Sequence, residues 1–292
     1  MFVRDTEMPT PRQCEFCNNP LPRSASVCPH CGQPGLYPNV ADAEDDTERD
    51  TLDQRYQAAL TESATRGADQ SLKDFEAAAT NSKAVLARSP GDLLRLANSD
   101  HEVYATFYKL IRAGVRLPTG EKWDFRRTVA DAALFPNNEE QITFAALSLD
   151  GIGLSNYGSC SIVFRTGLIE HRTSVLEENS VIFAERHGVA MKQGEVPQGF
   201  RATWANRGKL CVAKLHQSID ATTQPDEYSR LLMCQGPTSE EDQFVEAHIF
   251  GPWTARTIEQ VSVSKRRKKA DNVSIKWLER ELKKLGVTVK TK

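Results

Sequence analysis

Four cysteines near the amino terminus have the spacing of a metal site. Cys14 and Cys17 form one Cys-x2-Cys pair, and after ten further residues Cys28 and Cys31 form a second. Each pair can direct two thiolates at one ion, and Gly32 tolerates the tight turn that follows the second pair. Four thiolates complete a tetrahedral zinc ion and leave no open position, so the spacing predicts structural Zn2+ in a zinc ribbon. Two disulfides or free thiols are the alternatives.

A glutamate and a histidine two positions apart define a second candidate site. Residues 244–250 alternate, and the period of two places Glu246 and His248 on one face of a predicted strand, about 7 Å apart. The opposite face has the character of a core and carries Val245, Ala247 and Ile249. Between Phe244 and Phe250, the carboxylate and the imidazole would lie in a partly dry groove, where charge interactions strengthen. A solvent-facing edge strand is the alternative.

The elements that would position such a site lie in residues 141–188. An apolar run over residues 142–149 and an alternating run over 160–164 predict two strands, and a short run over 181–184 resembles a third. Polar side chains cluster between the runs; they include Asn156, Tyr157, Ser159, His171, Arg172, Ser174, Glu177, Glu178, Asn179 and Ser180. Polar residues at the ends of buried strands are typical of a site on a rigid sheet, and ordinary turn chemistry is the alternative.

Two blocks in this half of the chain carry a resemblance. The first runs from Tyr157-Gly158-Ser159-Cys160 through an Arg172-containing turn to Glu178-Asn179-Ser180, and the second is Val-Glu-Ala-His-Ile-Phe-Gly-Pro at residues 245–252. Their order and spacing resemble a bacterial family with an ADP-ribosyltransferase-like fold. The resemblance covers roughly residues 140–263, under half of the chain.

The resemblance implies a set of site residues. Glu246 would hold the nicotinamide-side ribose of the substrate NAD and stabilise an oxocarbenium-like transition state, with His248 as a weaker second catalytic candidate. The implied NAD-binding residues are Tyr157, Ser159, Arg172, Glu178, Asn179 and Ser180. Arginine-modifying members carry Glu or Gln where this chain has Phe244, and one large branch has a Ser-Thr-Ser pattern that is absent here. These departures disfavour arginine as the acceptor and leave loss of activity as an alternative.

Composition bounds the class of protein. The chain has 292 residues, 39% hydrophobic and 26% charged, which predicts a soluble globular protein of about two domains. Neither a signal peptide nor an apolar run near the roughly 18 residues of a membrane span is recognisable. Cysteines in a metal-like arrangement favour a reducing cytoplasm. The net charge of −2 makes no case for nucleic acid by itself.

The coarse organisation is that of an α+β protein in four parts. A zinc ribbon (1–36) precedes an acidic linker (37–50), a helical region (51–136) and a mixed α/β, ADP-ribosyltransferase-like domain (137–292). The linker is predicted as a solvated tether because residues 38–55 carry seven acidic and two basic residues, a net charge of −5.

Several helices are predicted from caps and apolar spacing. One contains Leu52 and ends at Gly67, and a second extends from Leu72 to Leu86. Ser89 caps a third, and a fourth lies between Asp124 and Pro136. In the fourth, Arg126 and Arg127 either clamp a phosphate or are solvated. Beyond the central stretch, residues 206–218 predict a helix and residues 230–235 a strand.

The carboxyl-terminal end is strongly basic. Residues 265–292 contain eleven basic and three acidic residues, a net charge of +8, beside a predicted amphipathic helix. Such a run either neutralises nucleic-acid phosphates or forms a solvated surface. The candidate contacts are Lys265, Arg266, Arg267, Lys268 and Lys269. The zinc ribbon is a candidate protein-binding module, and no membrane contact is predicted.

These patterns together favour one function. The leading hypothesis is an NAD-dependent ADP-ribosyltransferase acting on nucleic acid or protein, as a bacterial toxin or antiphage effector. The alternative is a non-enzymatic zinc-ribbon adaptor or nucleic-acid-binding protein.

Overall fold

The computed structural model describes residues 12–14, 16–22, 25, 27–33, 35, 37–99, 101–112, 122–189, 195–264 and 271–291. The described helices are α1 (Pro38–Ala43), α2 (Asp46–Thr65), α3 (Asp69–Thr80), α4 (Pro90–Ala97), α5 (Phe107–Arg112), α6 (Lys122–Leu134), α7 (Thr166–Ile169), α8 (Ser180–Arg186), α9 (Arg207–Leu215), α10 (Tyr228–Leu232) and α11 (Asp271–Lys284). The described strands are β1 (Arg12–Gln13), β2 (Pro20–Leu21), β3 (Lys83–Arg88), β4 (Ile142–Ser148), β5 (Cys160–Phe164), β6 (Thr173–Leu176), β7 (Arg201–Thr203), β8 (Met233–Cys234), β9 (Gln243–Phe244), β10 (Glu246–Phe250), β11 (Ile258–Val263) and β12 (Thr288–Thr291).

One large mixed sheet organises the chain. Its order is β12-β11-β5-β3-β4-β10-β6-β7, and all its pairs are antiparallel except β11 with β12. Helices α6 and α8 pack on one face, and α3, α4, α9 and α11 pack on the other. The fold is therefore mixed α/β, with both faces of the central strands buried.

Strand β10 is internal to this sheet. Glu246 lies opposite Ala146 of β4 and Leu176 of β6, and every residue of β10 is buried. The alternative of a solvent-facing edge strand is therefore wrong. The period of two does place alternate residues on different faces: Val245 and Ala247 join the core beneath α3 and α9, and Phe250 joins the core beneath α6.

A strand interrupts the predicted helical region. Helix α3 ends at Thr80, and Leu86 belongs to β3, which pairs with β4 and β5 in the middle of the sheet. Residues 84–87 are all buried, as expected of a short apolar run covered on both faces. Within the predicted helical region over 51–136, the helix expected to reach Leu86 is wrong, because residues 83–88 form a central strand of the same sheet.

The acidic segment is ordered and partly buried. Helix α1 packs beside β6 and β7, and Asn39 Nδ2 donates to the carbonyl oxygen of His248 (2.8 Å) and to Ser174 Oγ (3.1 Å). Glu48, fully buried in α2, accepts backbone N–H bonds from residues 199–201 at 2.7 to 2.9 Å. The prediction of a solvated tether over 37–50 is wrong, because the segment is helical and its Asn39 and Glu48 side chains hydrogen-bond backbone groups in and beside the sheet instead of water.

Two shorter predictions also need correction. The apolar run over residues 181–184 lies in helix α8, because the Asn179 side chain caps the first turn by accepting from the Val181 amide (2.9 Å). Of residues 230–235, predicted as a strand, 230–232 end helix α10 and only 233–234 form a strand, β8.

Predictions with a strong local signal are confirmed. Gly67, with a φ of 69°, follows the end of α2, and Ser89 caps α4. Helix α9 begins at Arg207, within the range predicted, and α11 buries Ile275 and Leu278. No helix in the described part of the chain is long and apolar enough to span a membrane.

Candidate active site and metal centre

Glu246 and His248 form a buried pair on the face of β10 that packs against α6 and α8. Their side chains are 2% and 1% exposed, and His248 Nε2 lies 3.1 Å from Glu246 Oε2. The backbone N–H of Ser180, at the start of α8, donates to the same oxygen at 2.8 Å. The carboxylate is thereby fixed from two sides, and the two predicted catalytic residues are in direct contact.

Aromatic rings enclose the imidazole. The ring centroids of Phe135 and Phe144 lie 4.7 and 5.4 Å from that of His248, both edge-on. This packing leaves little rotational freedom to His248, and its low-polarity surroundings strengthen electrostatic interactions with Glu246.

Two adjoining cavities that share four lining residues form a cleft beside Glu246, and the part that Glu246 lines is called the inner part. Its inner part, about 60 Å³, is lined by Glu246 together with Phe144, Tyr157 and Asn179. Its outer part, about 390 Å³, shares Arg127 and other residues with the inner part. In the described part of the chain, the charged side chains that line the outer part are Arg88, Arg95, Arg127, Asp92 and Asp124. Glu246 thus lines the smaller part of a cleft whose larger part carries, among the described residues, three arginines and two aspartates.

A second buried carboxylate, Asp131, lies behind the cleft. Tyr108 donates to its Oδ2 at 2.7 Å, Arg127 Nε lies 3.2 Å from that oxygen, and Ser180 Oγ donates to Oδ1 at 3.5 Å. Asp131 is fully buried, and burial raises its pKa to about 6 although Arg127 and Tyr108 act in the opposite sense. Its contacts join α5, α6 and α8, and one of them is with Ser180, whose backbone N–H donates to Glu246.

Arg127 keeps its charge in this environment. Burial opposes the guanidinium charge, but Asp131 and Glu246 outweigh it and raise the pKa of Arg127. The guanidinium also lies 4.1 Å from the centroid of the Phe144 ring. Its neighbour Arg126 faces elsewhere and pairs with Glu185, so the structure separates the two arginines that the sequence left equivalent.

Tyr157, which the resemblance names as an NAD-binding candidate, forms part of the cleft wall. Burial and the nearby Glu246 raise the pKa of its phenol, which is therefore neutral. Gly158 has a φ of 149°, and a Cβ there would lie 2.1 Å from the carbonyl carbon of Arg88. Only glycine permits this close approach, so the Tyr157-Gly158 turn is seated against the end of β3.

The other residues implied to bind NAD divide into two groups. Asn179 lines the inner cleft and Ser180 bonds Glu246, whereas Ser159, Arg172 and Glu178 line neither part of the cleft among the described residues. These three have other partners. The Ser159 carbonyl accepts from Ser264 N (2.9 Å), Arg172 Nη1 donates to the carbonyl oxygens of Phe250 (2.5 Å) and Pro252 (2.9 Å), and Glu178 pairs with Arg186.

The four amino-terminal cysteines converge as predicted. The Sγ atoms of Cys14 and Cys31 are 3.6 Å apart, as are those of Cys17 and Cys28, and all four lie within 4.8 Å of one another. A tetrahedral zinc–thiolate site with bonds of about 2.3 Å has sulfur–sulfur edges of about 3.8 Å, so the four thiols fit a zinc ion. The paired strands β1 and β2 and the positive φ of Gly32 supply the ribbon and the turn around it.

A second group of potential metal ligands is already neutralised. Glu177, Glu178 and His187 have ligand atoms within 4.8 Å of one another. However, Arg55 Nη2 lies 2.7 Å from Glu177 Oε2, and Arg186 pairs with Glu178. These cations balance both carboxylates, which disfavours a further positive ion, and we assign no metal there.

Comparison of the chain with protein-family models and with curated proteins gave no match. Assignment of function therefore depends on the geometry of the cleft and on the residue pattern around it. The basic residues Lys265, Arg266, Arg267, Lys268 and Lys269 lie outside the described residues.

Proposed function

We propose that this protein is an NAD-dependent ADP-ribosyltransferase that modifies a macromolecule. The observation that carries the proposal is the Glu246 carboxylate, fixed by Ser180 and His248 in the inner part of a cleft whose outer part is arginine-rich. The position of Glu246 agrees with the role that its sequence block implies.

A carboxylate in this position is well suited to catalyse glycosyl transfer. When the bond between ribose C1 and the nicotinamide nitrogen breaks, its electron pair leaves with nicotinamide, and positive charge develops on the ribose. A fixed carboxylate in a water-poor site stabilises that charge without reorganising. The macromolecule that is modified then bonds to C1 and releases a proton, which the nearby Glu246–His248 pair can take up.

The outer part of the cleft suits the other half of the substrate. Arg88, Arg95 and Arg127 present positive charge where a dinucleotide pyrophosphate would lie, and guanidinium groups match phosphate oxygens in geometry. Asp92 and Asp124 in the same cleft partly balance them, and carboxylates can also accept hydrogen bonds from ribose or adenine groups.

The acceptor in this proposal is nucleic acid or protein, and the enzyme acts as a toxin or antiphage effector. Support for a macromolecular acceptor comes from the two ends of the chain: a cysteine cluster that fits a zinc ribbon, and a carboxyl-terminal stretch with a net charge of +8. Within this stretch, helix α11 carries Trp277, which is 37% exposed, and four exposed basic side chains: Lys276, Arg280, Lys283 and Lys284.

The basic stretch gives a prediction on salt dependence. If residues 265–269 neutralise phosphates, nucleic-acid affinity will fall steeply with rising salt, because each contact releases counterions. Reversing the charges of Arg266 and Arg267 is expected to reduce the slope of log affinity against log salt by about two, at roughly 0.9 per phosphate contact. Fluorescence anisotropy with a labelled duplex at several salt concentrations measures this. An unchanged slope would leave residues 265–269 as a solvated surface.

The proposed function is tested with NAD labelled in its adenine half. We expect purified protein to release nicotinamide and to transfer label to nucleic acid or to a protein fraction of a bacterial lysate. Transfer that depends on one fraction identifies the acceptor class. Neither nicotinamide release nor transfer in any mixture would favour the zinc-ribbon adaptor instead.

A further inference from the structure

Consecutive arginines of α6 have opposite environments. Arg126 forms a two-point ion pair with Glu185, at 2.5 and 2.7 Å, and a second pair with Glu240 at 2.7 Å, and it lines neither part of the cleft. Arg127 lines both the inner part that holds Glu246 and the outer part. Arg88 also lines both parts, but Arg127 is the arginine whose charge interacts with Glu246, so Arg127 lies at the junction between the site of glycosyl chemistry and the cationic outer part.

Arg127 is held there by contacts that leave part of its guanidinium available. The ion pair with Asp131 uses Nε, at 3.2 Å, and the guanidinium plane is close to the Phe144 ring. An arginine has five N–H donors in a rigid fork, so the two terminal nitrogens can still bind an anion. The side chain is 16% exposed, which keeps it accessible from the cleft.

Asp131 is the fixed end of this arrangement. It has no solvent exposure, and its contacts come from α5 through Tyr108 and from α8 through Ser180. A carboxylate this deeply buried is costly unless it is paired, so the Arg127 charge and the Tyr108 hydroxyl stabilise it where it stands. Three elements thus fix the position of Asp131, and its ion pair with Arg127 restricts the conformations of the arginine side chain.

We infer that Asp131 is a positioning residue that holds Arg127 ready to bind the nicotinamide-side phosphate of the dinucleotide. This inference rests on the proposed function and names one contact within it. The phosphate concerned is the one nearer the nicotinamide because Arg127 lines the same inner part of the cleft as Glu246. Without Asp131, binding must order a freer arginine side chain and affinity falls.

Two ligands that differ by a single phosphate isolate this contact. Nicotinamide mononucleotide carries the nicotinamide-side phosphate, and nicotinamide riboside lacks it. Arg127→Gln removes a charge-assisted hydrogen bond, so we expect mononucleotide binding to weaken about 10- to 100-fold while riboside binding is unchanged. Asp131→Asn should weaken mononucleotide binding about three- to tenfold, again with riboside binding unchanged. Arg126→Gln is the matched control and should change neither.

A pH profile gives a second readout. Asp131 is faced by Arg127 and Tyr108, and by Glu246 and His248 of β10. Because burial raises the pKa of Asp131 to about 6, its charge is lost as the pH falls through that value. Mononucleotide affinity of the wild type should weaken across this window, and the Asp131→Asn variant should lack that component of the pH dependence.

The outcomes separate the inference from the proposed function. Isothermal calorimetry of the folded variants, checked by circular dichroism, provides the dissociation constants. If the wild type binds the mononucleotide no better than the riboside, or if Arg127→Gln lowers both affinities equally, the inference is overturned while NAD cleavage still stands. If Asp131→Asn does not fold, Tyr108→Phe takes its place, because it removes the hydrogen bond that holds Asp131 Oδ2, and an unchanged mononucleotide affinity in this variant would overturn the role of Asp131. Absence of nicotinamide release from NAD would overturn the proposed function and this inference with it.

Discussion

Replacing Glu246 with glutamine is expected to slow NAD cleavage by about 10²- to 10³-fold, a loss of a few kcal/mol of transition-state stabilisation. Glutamine keeps the shape of the side chain and removes the charge that would stabilise the developing oxocarbenium ion. An oxygen acceptor for the Ser180 N–H remains, so the start of α8 is expected to stay in place. The rate of nicotinamide release by wild type and variant measures the effect.

Folding and activity must be separated in this comparison. Glu246 is 2% exposed, so the substitution lies in the interior and not in an open groove. Removing a buried charge offsets the loss of its contact with His248, and we expect a small change in the free energy of unfolding. Glu259→Gln is a matched control on the same sheet, because Glu259 lies on β11 and pairs with Lys83 at 3.0 Å, away from the cleft.

The same assay ranks the second catalytic candidate. His248 contacts Glu246 but lines neither part of the cleft among the described residues, so its replacement should slow cleavage less than Glu246→Gln does. Equal cleavage rates in wild type and Glu246→Gln, with both proteins folded, would remove Glu246 from the chemistry.

Loss of zinc from the ribbon is the other large effect expected. A variant with both Cys28→Ser and Cys31→Ser should lose the single zinc ion per chain, because two of the four thiolates that fit the metal are gone. Structural zinc supplies apparent binding free energies of about 10–16 kcal/mol in small zinc modules, so the ribbon should unfold with its loss. Elemental analysis gives the zinc content, and limited proteolysis gives the state of the ribbon.

The remaining cysteines provide the control. Cys160 and Cys211 are buried in the core, and Cys234 is half-buried in β8, so Cys234→Ser should retain zinc with little disturbance. Removing residues 1–36 is expected to spare the α/β fold, because the buried contacts of α1 begin at Pro38. Full zinc content in the double serine variant would contradict the assigned ligands.

Local patterns in the sequence predicted much of the framework around the site. The spacing of the cysteines, the Ser89 cap of α4 and the alternation in β5 each depend on neighbours close in the chain. The period of two likewise placed Glu246 and His248 on one face of a strand. Signals of this kind survive folding because no distant residue is needed to produce them.

The polar network behind Glu246 could not be predicted in the same way. Asp131 and Arg127 share a helix face four residues apart, which was a recognisable signal, but Tyr108 and Ser180 come from distant segments. Their meeting depends on how α5, α6 and α8 pack on the sheet. Sequence spacing alone carries no information about that packing.

The acidic composition gave a wrong prediction for residues 37–50, because some polar side chains there have specific hydrogen-bond partners in the fold. A net charge of −5 over residues 38–55 indicates a solvated tether, yet Glu48 is buried with three backbone N–H donors and Asn39 bonds the sheet. In β3, the apolar run containing Leu86 was compatible with a helix or with a strand buried on both faces. Tertiary packing decides both cases.

The most direct test of the central claim is a crystal structure of the Glu246→Gln variant with NAD. Because this variant should cleave NAD slowly, the intact dinucleotide can be located. The nicotinamide-side ribose is expected beside residue 246 in the inner cleft, with the pyrophosphate towards Arg88, Arg95 and Arg127. A cleft without NAD at saturating concentration, or NAD bound away from residue 246, would contradict the account.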